Sequence, residues 1–146
     1  AHSLAITADG AVWSWGNGGR GRLGHGDEQT QLLPKKVEAL AGRRVVAVSA
    51  GGLHSLALTA DGSVWSWGEG GFGFGQLGHG DQQNQLLPKK VEAFADQRVV
   101  AVSAGAIHSL ALTADGAVFT WGRGEHGCLG HGEDLSDQVL PKKIEA

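Results

Sequence analysis

Imidazole side chains are the groups in this 146-residue chain best suited to chemistry, because they bind transition metals and transfer protons near neutral pH. Six of the seven histidines recur at matching places in three similar segments: His2, His54 and His108 in "HSL", and His25, His79 and His131 in "LGHG". Neither motif has the paired ligand spacing of a zinc site, and matching corners of separate segments do not converge. We therefore expect each imidazole to bond with backbone groups of its own turn, and we predict no metal site and no cofactor.

The seventh histidine, His126, lies out of register with the others, in "RGEHGCLG" beside Cys128. A nucleophilic cysteine needs a base and an orienting group, and His126 with Glu125 could supply them. The other two segments, however, place Arg22 and Gln76 where Cys128 stands, so this position accepts varied side chains. We predict an ordinary loop thiol and no catalytic residue.

Two glycine-rich stretches, "GNGGRGRLG" and "GEGGFGFGQLG", look superficially like phosphate-binding loops. Such a loop must open a helix, and no helical pattern follows either stretch. Glycine makes up 25 of the 146 residues, without the triplet period of collagen. We interpret these glycines as residues of tight turns.

Charge and composition argue against several classes of partner. The formal net charge is −3 and the lysine pairs recur with the repeat, so neither a nucleic acid nor a membrane surface is predicted as a partner. A single cysteine excludes an intrachain disulfide, and no run of 18 apolar residues and no leader is present. These features favour an intracellular setting, cytoplasmic or nuclear. The absence of methionine favours a segment of a longer protein.

All of these side chains lie in three repeat units with a period of 52 to 54 residues. The units span approximately 1–43, 44–97 and 98–146. A period near fifty is typical of a propeller blade, since most solenoid repeats are shorter. Each unit divides into short strands with the patterns "RVVAVSAG", "HSLALT", "VWSWG" and "LLPKKVEA". In "HSLALT", Leu56 and Leu58 should share one face and Ala57 the other. The Asp-Gly that follows predicts a type I′ hairpin, with both residues at positive φ.

The "LLPKKVEA" segment suits an edge strand, because proline removes a ladder donor and the lysines protect an exposed edge. A competing interpretation makes "PKKVEALA" a short helix with proline in its first turn. We favour the strand, since so short a helix is marginal and a blade needs four strands.

The stretch "VVAVSAGGLHSLALTADGSVWSWGEGGFGFGQLGHGD", followed by "LLPKKVEA", resembles the repeat of the regulator of chromosome condensation family. The resemblance covers essentially all 146 residues in three consecutive units. It implies an all-β fold: a β-propeller of four-stranded antiparallel blades, with three blades present as an incomplete ring. Because the chain opens at "AHSLAI", eleven strands are expected.

Three blades cannot close a ring, since propellers have four to eight. The two end faces would be rich in Leu, Val, Ala and Trp, and apolar patches of that size are rare on monomers. We expect further blades of the same polypeptide to complete the ring, seven in all by the resemblance. A second copy making a six-bladed ring, or a different chain, are the alternatives.

The resemblance also implies two specialised functions. Nucleotide exchange on a Ran-like small GTPase depends in the family on loops and a wedge insertion, and no insertion longer than two residues occurs here. Plant UV-B photoreceptors of the family form homodimers and sense light through a "GWRHT" element. This chain has Gly52 and Leu53, and Ala106 and Ile107, at the tryptophan and arginine places. Neither set of functional residues transfers to this sequence.

We therefore predict a non-catalytic protein–protein interaction module with an unidentified protein partner, and regulation of a small GTPase through the complete ring as the alternative. Recognition should reside in the loops that differ between otherwise similar units. The differing candidate residues follow "WG" in each unit: Asn17, Arg20 and Arg22; Glu69, Phe72 and Phe74; and Arg123, Glu125 and His126. The second loop is two residues longer, and its added phenylalanine either anchors a partner or fills a seam between blades.

Overall fold

The computed structural model describes residues 1–70 and 74–145. These residues form eleven strands: β1 His2–Ile6, β2 Val12–Gly16, β3 Gln31–Lys36, β4 Val45–Ala50, β5 His54–Thr59, β6 Val64–Gly68, β7 Gln85–Lys90, β8 Val99–Ala104, β9 His108–Thr113, β10 Val118–Gly122 and β11 Gln138–Lys143. Single 3-10 turns lie at Gly19–Gly21, Glu38–Leu40, Glu92–Phe94 and Glu125–Gly127. In this described part of the chain, no helix is long and apolar enough to cross a membrane.

The strands form three antiparallel sheets in chain order, which we call blades 1, 2 and 3. Blade 1 contains β1, β2 and β3, blade 2 contains β4 to β7, and blade 3 contains β8 to β11. Consecutive blades pack face to face, with β1 against β4 and with β4 and β5 against β8. The expected fold is confirmed: the chain is an all-β arc of three propeller blades, an incomplete ring.

The hairpin at each Asp-Gly differs from the predicted type I′ turn. The Thr7 N–H donates to Ala11 O at 2.9 Å, and the Gly10 N–H donates to Thr7 O at 2.9 Å, so the loop has three residues. Gly10 has φ of 86°, whereas Asp9 is not among the residues with positive φ. Its carboxylate instead accepts hydrogen bonds from the Thr7 hydroxyl and the Ala11 N–H. The type I′ prediction is wrong, because the Asp side chain caps a longer loop in which glycine alone is left-handed.

The last strand of each blade ends earlier than the predicted "LLPKKVEA" strand. In blade 1 it ends at Lys36, and Val37 leads into the 3-10 turn Glu38–Leu40. Val37 and Leu40 are buried, so the chain turns where two apolar side chains enter the core. The strand prediction is confirmed for Gln31–Lys36 and wrong beyond it, and the competing helix amounts to this single turn. β3 lies at the outer edge of its sheet, where Pro34 costs no ladder hydrogen bond.

The hydrophobic core lies between blades rather than within one. The first seam joins Val12, Val37 and Leu40 of blade 1 to Val45, Ala57 and Trp67 of blade 2. The second joins Leu56, Leu58, Val64, Val91 and Phe94 of blade 2 to Val99, Ala111 and Trp121 of blade 3. The predicted alternation in β5 is therefore confirmed. Its large leucines face the following blade, and its alanine face lets the preceding blade approach closely.

Candidate functional site

The loops that follow β2, β6 and β10 lie together at one end of the blades, which we call the loop end. Each of these strands runs from its hairpin toward its loop, so the hairpins lie at the opposite, hairpin end. The turn before β5 also lies at the loop end, where Nη1 of Arg22 donates to Gly52 O at 3.5 Å. The predicted binding residues therefore share one end of the molecule, except for Phe72, which lies outside the described residues.

An ion pair joins blades 1 and 2 at the loop end. Nη1 of Arg20 lies 3.3 Å from Oε2 of Glu69. The Glu69 side chain is only 1% exposed, and its backbone N–H donates to Leu53 O at 2.9 Å. Glu69 is therefore part of the seam, and it holds the half-exposed guanidinium of Arg20 at the surface.

Arg22 lies buried near this ion pair. Its Nε donates to Gly19 O at 2.8 Å, and burial lowers the pKa of its guanidinium, with the charge of Arg20 acting in the same direction. Asn17 accepts a hydrogen bond from the Gly19 N–H at 2.8 Å. Both side chains thus fold the glycine-rich loop rather than extend from it.

The seam between blades 2 and 3 has a cation–π contact at the corresponding place. Cζ of Arg123 lies 4.8 Å from the ring centroid of Phe74. Arg123 also forms an ion pair with Glu125, whose Oε1 lies 3.3 Å from Nε2 of His126. Phe74 contacts Arg123 of blade 3 and is only partly buried, so the residue remains partly at the surface.

His126 occupies the position of Arg20 in the repeat. The two residues have φ of 62° and 63°, and they are the only non-glycine residues with positive φ in the described ranges. His126 is therefore out of register with the other histidines, as expected, because it stands where blade 1 has an arginine. Its side chain is 87% exposed, so the same strained backbone displays an arginine in blade 1 and a histidine in blade 3.

Two of the "HSL" histidines, His2 and His54, bond across the blade seams, so for them the expectation of bonds within their own turns is wrong. Nε2 of His2 lies 2.8 Å from Oγ of Ser55, and that hydroxyl donates to Arg22 O at 2.8 Å. The pair of His54 and Ser109 repeats this contact at 2.9 Å in the next seam. Since each hydroxyl proton goes to a carbonyl, each imidazole must donate its Nε2 proton to the serine.

The "LGHG" histidines bond to hydroxyl groups of their own blade. Nε2 of His25 lies 2.9 Å from Oγ of Ser14, which donates to Leu23 O at 2.7 Å. The same arrangement joins His79 to Ser66 and His131 to Thr120. The "HSL" and "LGHG" motifs separate the two sets of histidines in the sequence, but neither motif indicates which set joins blades.

These serine–histidine contacts are not nucleophilic dyads. Burial lowers the pKa of His54 to about 3 and that of His2 to about 4, so both rings are neutral at pH 7. Nδ1 of His54 has no hydrogen-bond partner among the described residues, which leaves the ring without an orienting group. Ser109 is fully buried. The arrangement holds blades together and offers no hydroxyl to a substrate.

The described residues contain no group of three or more His, Cys, Asp or Glu side chains that could hold a metal ion. Cys128 is exposed, and its Sγ donates to Arg123 O at 3.0 Å. The neighbouring His126 faces Glu125. The loop end is therefore a surface of cations, a carboxylate and an aromatic ring.

The family profile described as "Regulator of chromosome condensation (RCC1) repeat" matches residues 9–58, 61–112 and 115–146. The chain belongs to the RCC1 repeat family. A second RCC1 repeat profile matches residues 45–76 and 99–128. Together the matches extend over all three blades, in agreement with the resemblance found in the sequence.

Known proteins similar to this RCC1-repeat chain are much longer. It is 47% identical to the E3 ubiquitin-protein ligase HERC2 of Homo sapiens over 137 residues, which are 92% of this chain and 3% of the ligase. It is 40% identical to the Ultraviolet-B receptor UVR8 of Arabidopsis thaliana over 146 residues, all of this chain and 32% of the receptor. The crystal structure of Prp20p from Saccharomyces cerevisiae matches with a TM-score of 0.86 and 27% identity, over 99% of this chain and 36% of Prp20p. The chain thus spans about a third or less of each.

Proposed function

We propose that this chain is a non-catalytic protein-interaction module that binds its partner at the loop end of the blades. The observation that carries the proposal is the Arg123–Phe74 contact, which holds a partly exposed aromatic ring under a cation at a blade seam. Aromatic and arginine side chains dominate the binding energy of protein interfaces. Arg20 and His126 extend this surface over the neighbouring loops.

Differences between the blades also favour the loop end as the binding surface. The seam residues repeat almost unchanged from one unit to the next, whereas the loop positions hold Arg20, Phe74 and His126 in turn. A rigid scaffold with varied loops is the usual arrangement of a recognition surface. We also propose 1–43, 44–97 and 98–146 as the repeat units, since each sheet lies within one of these ranges.

The similar structures include a complex of RCC1 with another protein. One is described as Kap60 bound to yeast RCC1 (Prp20), with a TM-score of 0.86, 27% identity, and coverage of 99% of this chain and 35% of that chain. Protein binding is therefore a property of that relative, and it supports protein binding here. We do not propose light sensing, because Gly52 and Ala106 stand where the resemblance requires tryptophan.

The interaction is tested with two loop-end variants and a matched variant at the hairpin end. Phe74→Ser and Arg123→Ala each remove the cation–π contact at the loop end. Arg43→Ala removes a similar contact at the hairpin end, where Cζ of Arg43 lies 4.4 Å from the Trp65 ring centroid. The proteins captured by each immobilised chain are quantified by mass spectrometry.

We expect the loop-end variants to retain specific partners roughly tenfold less than the unmodified chain, as for loss of an interface anchor. Arg43→Ala should retain the same partners at the original level. Equal retention by all three variants would contradict binding at the loop end, and so would a loss confined to Arg43→Ala.

Regulation of a small GTPase is the second candidate. It is favoured by the similarity to Prp20p, whose structure is described together with its binding properties to Gsp1p and histones. Release of a fluorescent GDP analogue from a Ran-type GTPase, measured with and without the chain, distinguishes the two functions. Release faster than the intrinsic rate indicates regulation, whereas binding without faster release indicates an interaction module alone.

A further inference from the structure

Asparagine is followed directly by glycine at one place in the chain, Asn17-Gly18 in the loop after β2. The other asparagine of the chain, Asn84, is followed by glutamine. In an asparagine–glycine pair, the backbone nitrogen of the glycine can attack the side-chain amide, because glycine has no side chain that hinders its approach. The folded loop around Asn17 decides how fast this attack proceeds.

The loop holds the Asn17 amide in a polarised arrangement. Oδ1 of Asn17 accepts a hydrogen bond from the Gly19 N–H at 2.8 Å. Negative charge develops on this oxygen when a nucleophile attacks Cγ, so the Gly19 N–H is an oxyanion donor that is already in place. The attacking nitrogen is weakly held, because the Gly18 N–H donates to Oγ1 of Thr30 over a long 3.3 Å.

A buried guanidinium lies beside the same amide oxygen. A Cβ at Gly19 would lie 3.1 Å from Oδ1 of Asn17 and 3.3 Å from Nη2 of Arg22, so the two groups face one point of the loop. Arg22 is only 7% exposed, and it forms no ion pair with a carboxylate among the described residues. A buried cation without a counter-ion favours any negative charge that forms next to it, both the oxyanion of the reaction and a carboxylate product.

The packing of the loop fixes these groups in place. A Cβ at Gly18 would collide with Gln29 O, so the residue after Asn17 must be glycine. Arg22 donates to Gly19 O at 2.8 Å and, across the seam to blade 2, to Gly52 O at 3.5 Å. The reactive pair therefore belongs to the structure of the loop, and the cation belongs to the seam between blades 1 and 2.

We propose that Asn17 is a site of spontaneous deamidation and that the folded loop accelerates the reaction. The Gly18 nitrogen loses its proton and attacks Cγ of Asn17, which closes a succinimide ring. The bond from Cγ to Nδ2 breaks, and the amide nitrogen takes up a proton and leaves as ammonia. Water then opens the ring: cleavage of the new N–Cγ bond gives aspartate, and cleavage at the main-chain carbonyl gives isoaspartate.

The product places a carboxylate next to Arg22. Asn17 corresponds in the repeat to Glu69, whose carboxylate already forms an ion pair with Arg20 at the same end of the molecule. Deamidation thus gives blade 1 an acidic residue where blade 2 has one, and it supplies the buried guanidinium with a counter-ion. We expect Asn17→Asp to unfold at a higher urea concentration than the unmodified chain, and this gain to disappear when Arg22 is also replaced by glutamine.

The reaction is followed by ageing the folded chain in mildly alkaline buffer. Trypsin places Asn17 and Asn84 on separate peptides, 1–20 and 45–89, so mass spectrometry measures both asparagines in one sample. The same chain unfolded in guanidinium chloride gives the rate without structure. We expect Asn17 to deamidate roughly tenfold faster in the folded chain than in the unfolded one, and Asn84 to stay intact in the folded chain.

Two arginine variants isolate the effect of the buried charge. Arg22→Gln introduces the residue that blade 2 has at this position, Gln76, and should slow the reaction at Asn17 roughly tenfold. Arg43→Gln is the matched control, because Arg43 lies at the hairpin end and blade 3 has Gln97 in its place. Arg43→Gln should leave the rate at Asn17 unchanged, and circular dichroism checks that both variants are folded.

Three results would overturn the proposal. The first is a folded chain in which Asn17 reacts no faster than in the unfolded chain, or does not react. The second is a rate at Asn84 equal to that at Asn17 in the folded chain. The third is an equal rate at Asn17 in folded Arg22→Gln and folded Arg43→Gln, which would exclude a contribution of the buried guanidinium.

Discussion

Gly24 illustrates how closely single residues are matched across a blade seam. Its φ is +81°, and a Cβ at this position would lie 2.8 Å from Nε1 of Trp67 in the next blade. Gly78 repeats the contact over Trp121 with the same φ and distance. The glycine therefore serves both the backbone of its turn and the close approach of an indole, and the two requirements can be separated by experiment.

Gly24→Ala should destabilise the chain more than Gly42→Ala. Gly42 has φ of +82° but open space around its Cβ position, so its substitution costs only the left-handed conformation, about 1–2 kcal/mol. At Gly24 the clash with Trp67 adds roughly 1–3 kcal/mol of overpacking. Urea unfolding measures the free energy of unfolding of both variants. Equal decreases would contradict the prediction, because they would mean that the Trp67 side chain moves away from the added methyl group at no cost.

The buried histidines predict a loss of stability in weak acid. The pKa of His54 falls from 6.5 to about 3 and that of His2 to about 4 on folding, mainly because of burial. The unfolded chain therefore binds more protons below about pH 6.5, and the free energy of unfolding must fall as the pH drops from there toward 4. Above about pH 7 both states hold neutral rings and these groups contribute no pH dependence.

Chemical denaturation between about pH 7.5 and 4.5 checks this prediction, a range from about one unit above to about two units below the unfolded pKa. His54→Gln should reduce the pH dependence, because glutamine can still donate to Ser109 but does not titrate, while His2 still does. His126→Gln is the control, since that ring is 87% exposed. A slope unchanged in His54→Gln would show that another group causes the acid effect.

At the scale of elements, the unit of stability is the seam rather than the blade. One serine hydroxyl in each seam links the histidine of the preceding blade to a backbone carbonyl of the same preceding blade. These groups are buried, so removing the hydroxyl leaves both a buried N–H and a buried carbonyl without a hydrogen-bond partner.

Ser109→Ala should therefore cost about 1–3 kcal/mol in free energy of unfolding, because His54 Nε2 and Gln76 O lose their partner. Ser103→Ala on the neighbouring strand β8 is the control, since Ser103 is exposed and should change stability by less than about 0.5 kcal/mol. Comparable small effects at both serines would contradict a structural role for the seam hydrogen bond.

Strand patterns were read correctly from local sequence, whereas turn details were not. The alternation of "HSLALT" depends only on side-chain period, so the faces of Leu56 and Ala57 could be predicted. The hairpin type depended on whether the Asp9 carboxylate bonds to Thr7 and Ala11, and dipeptide preference carries no information about that. The end of β3 was decided by the burial of Val37 and Leu40 against the next blade.

At the scale of the whole molecule, stability should decrease from the central blade toward the ends. Every residue of β5 in blade 2 is buried, whereas β1 has only partly buried and exposed residues and β9 mixes buried residues with partly buried and exposed ones. A stack of repeats derives its stability from contacts with neighbours, and each end blade has one neighbour.

Hydrogen exchange followed by mass spectrometry should show β5 and β6 exchanging slowest, and β1 and β9 about tenfold faster or more. Uniform exchange across the three blades would contradict the predicted decrease in stability toward the ends, because it would mean that the three blades open only as a single unit.

The candidate site was located by sequence but its internal contacts were not. Comparison of the units identified the varied loops and hence Arg20, Phe74 and Arg123. Which of these side chains face solvent depends on contacts between units about fifty residues apart. Only the structure shows that Glu69 is buried under Arg20 and that Phe74 supports Arg123.

The sequence by itself determined the repeat, its strands and the family, because side-chain period and motif order are local properties that recur in each unit. The tertiary structure alone decided which histidine bonds to which hydroxyl and which loop residues are exposed. Those outcomes depend on how one blade stacks on the next, and stacking joins atoms that are distant in the chain and carry no pairwise signal in a single sequence.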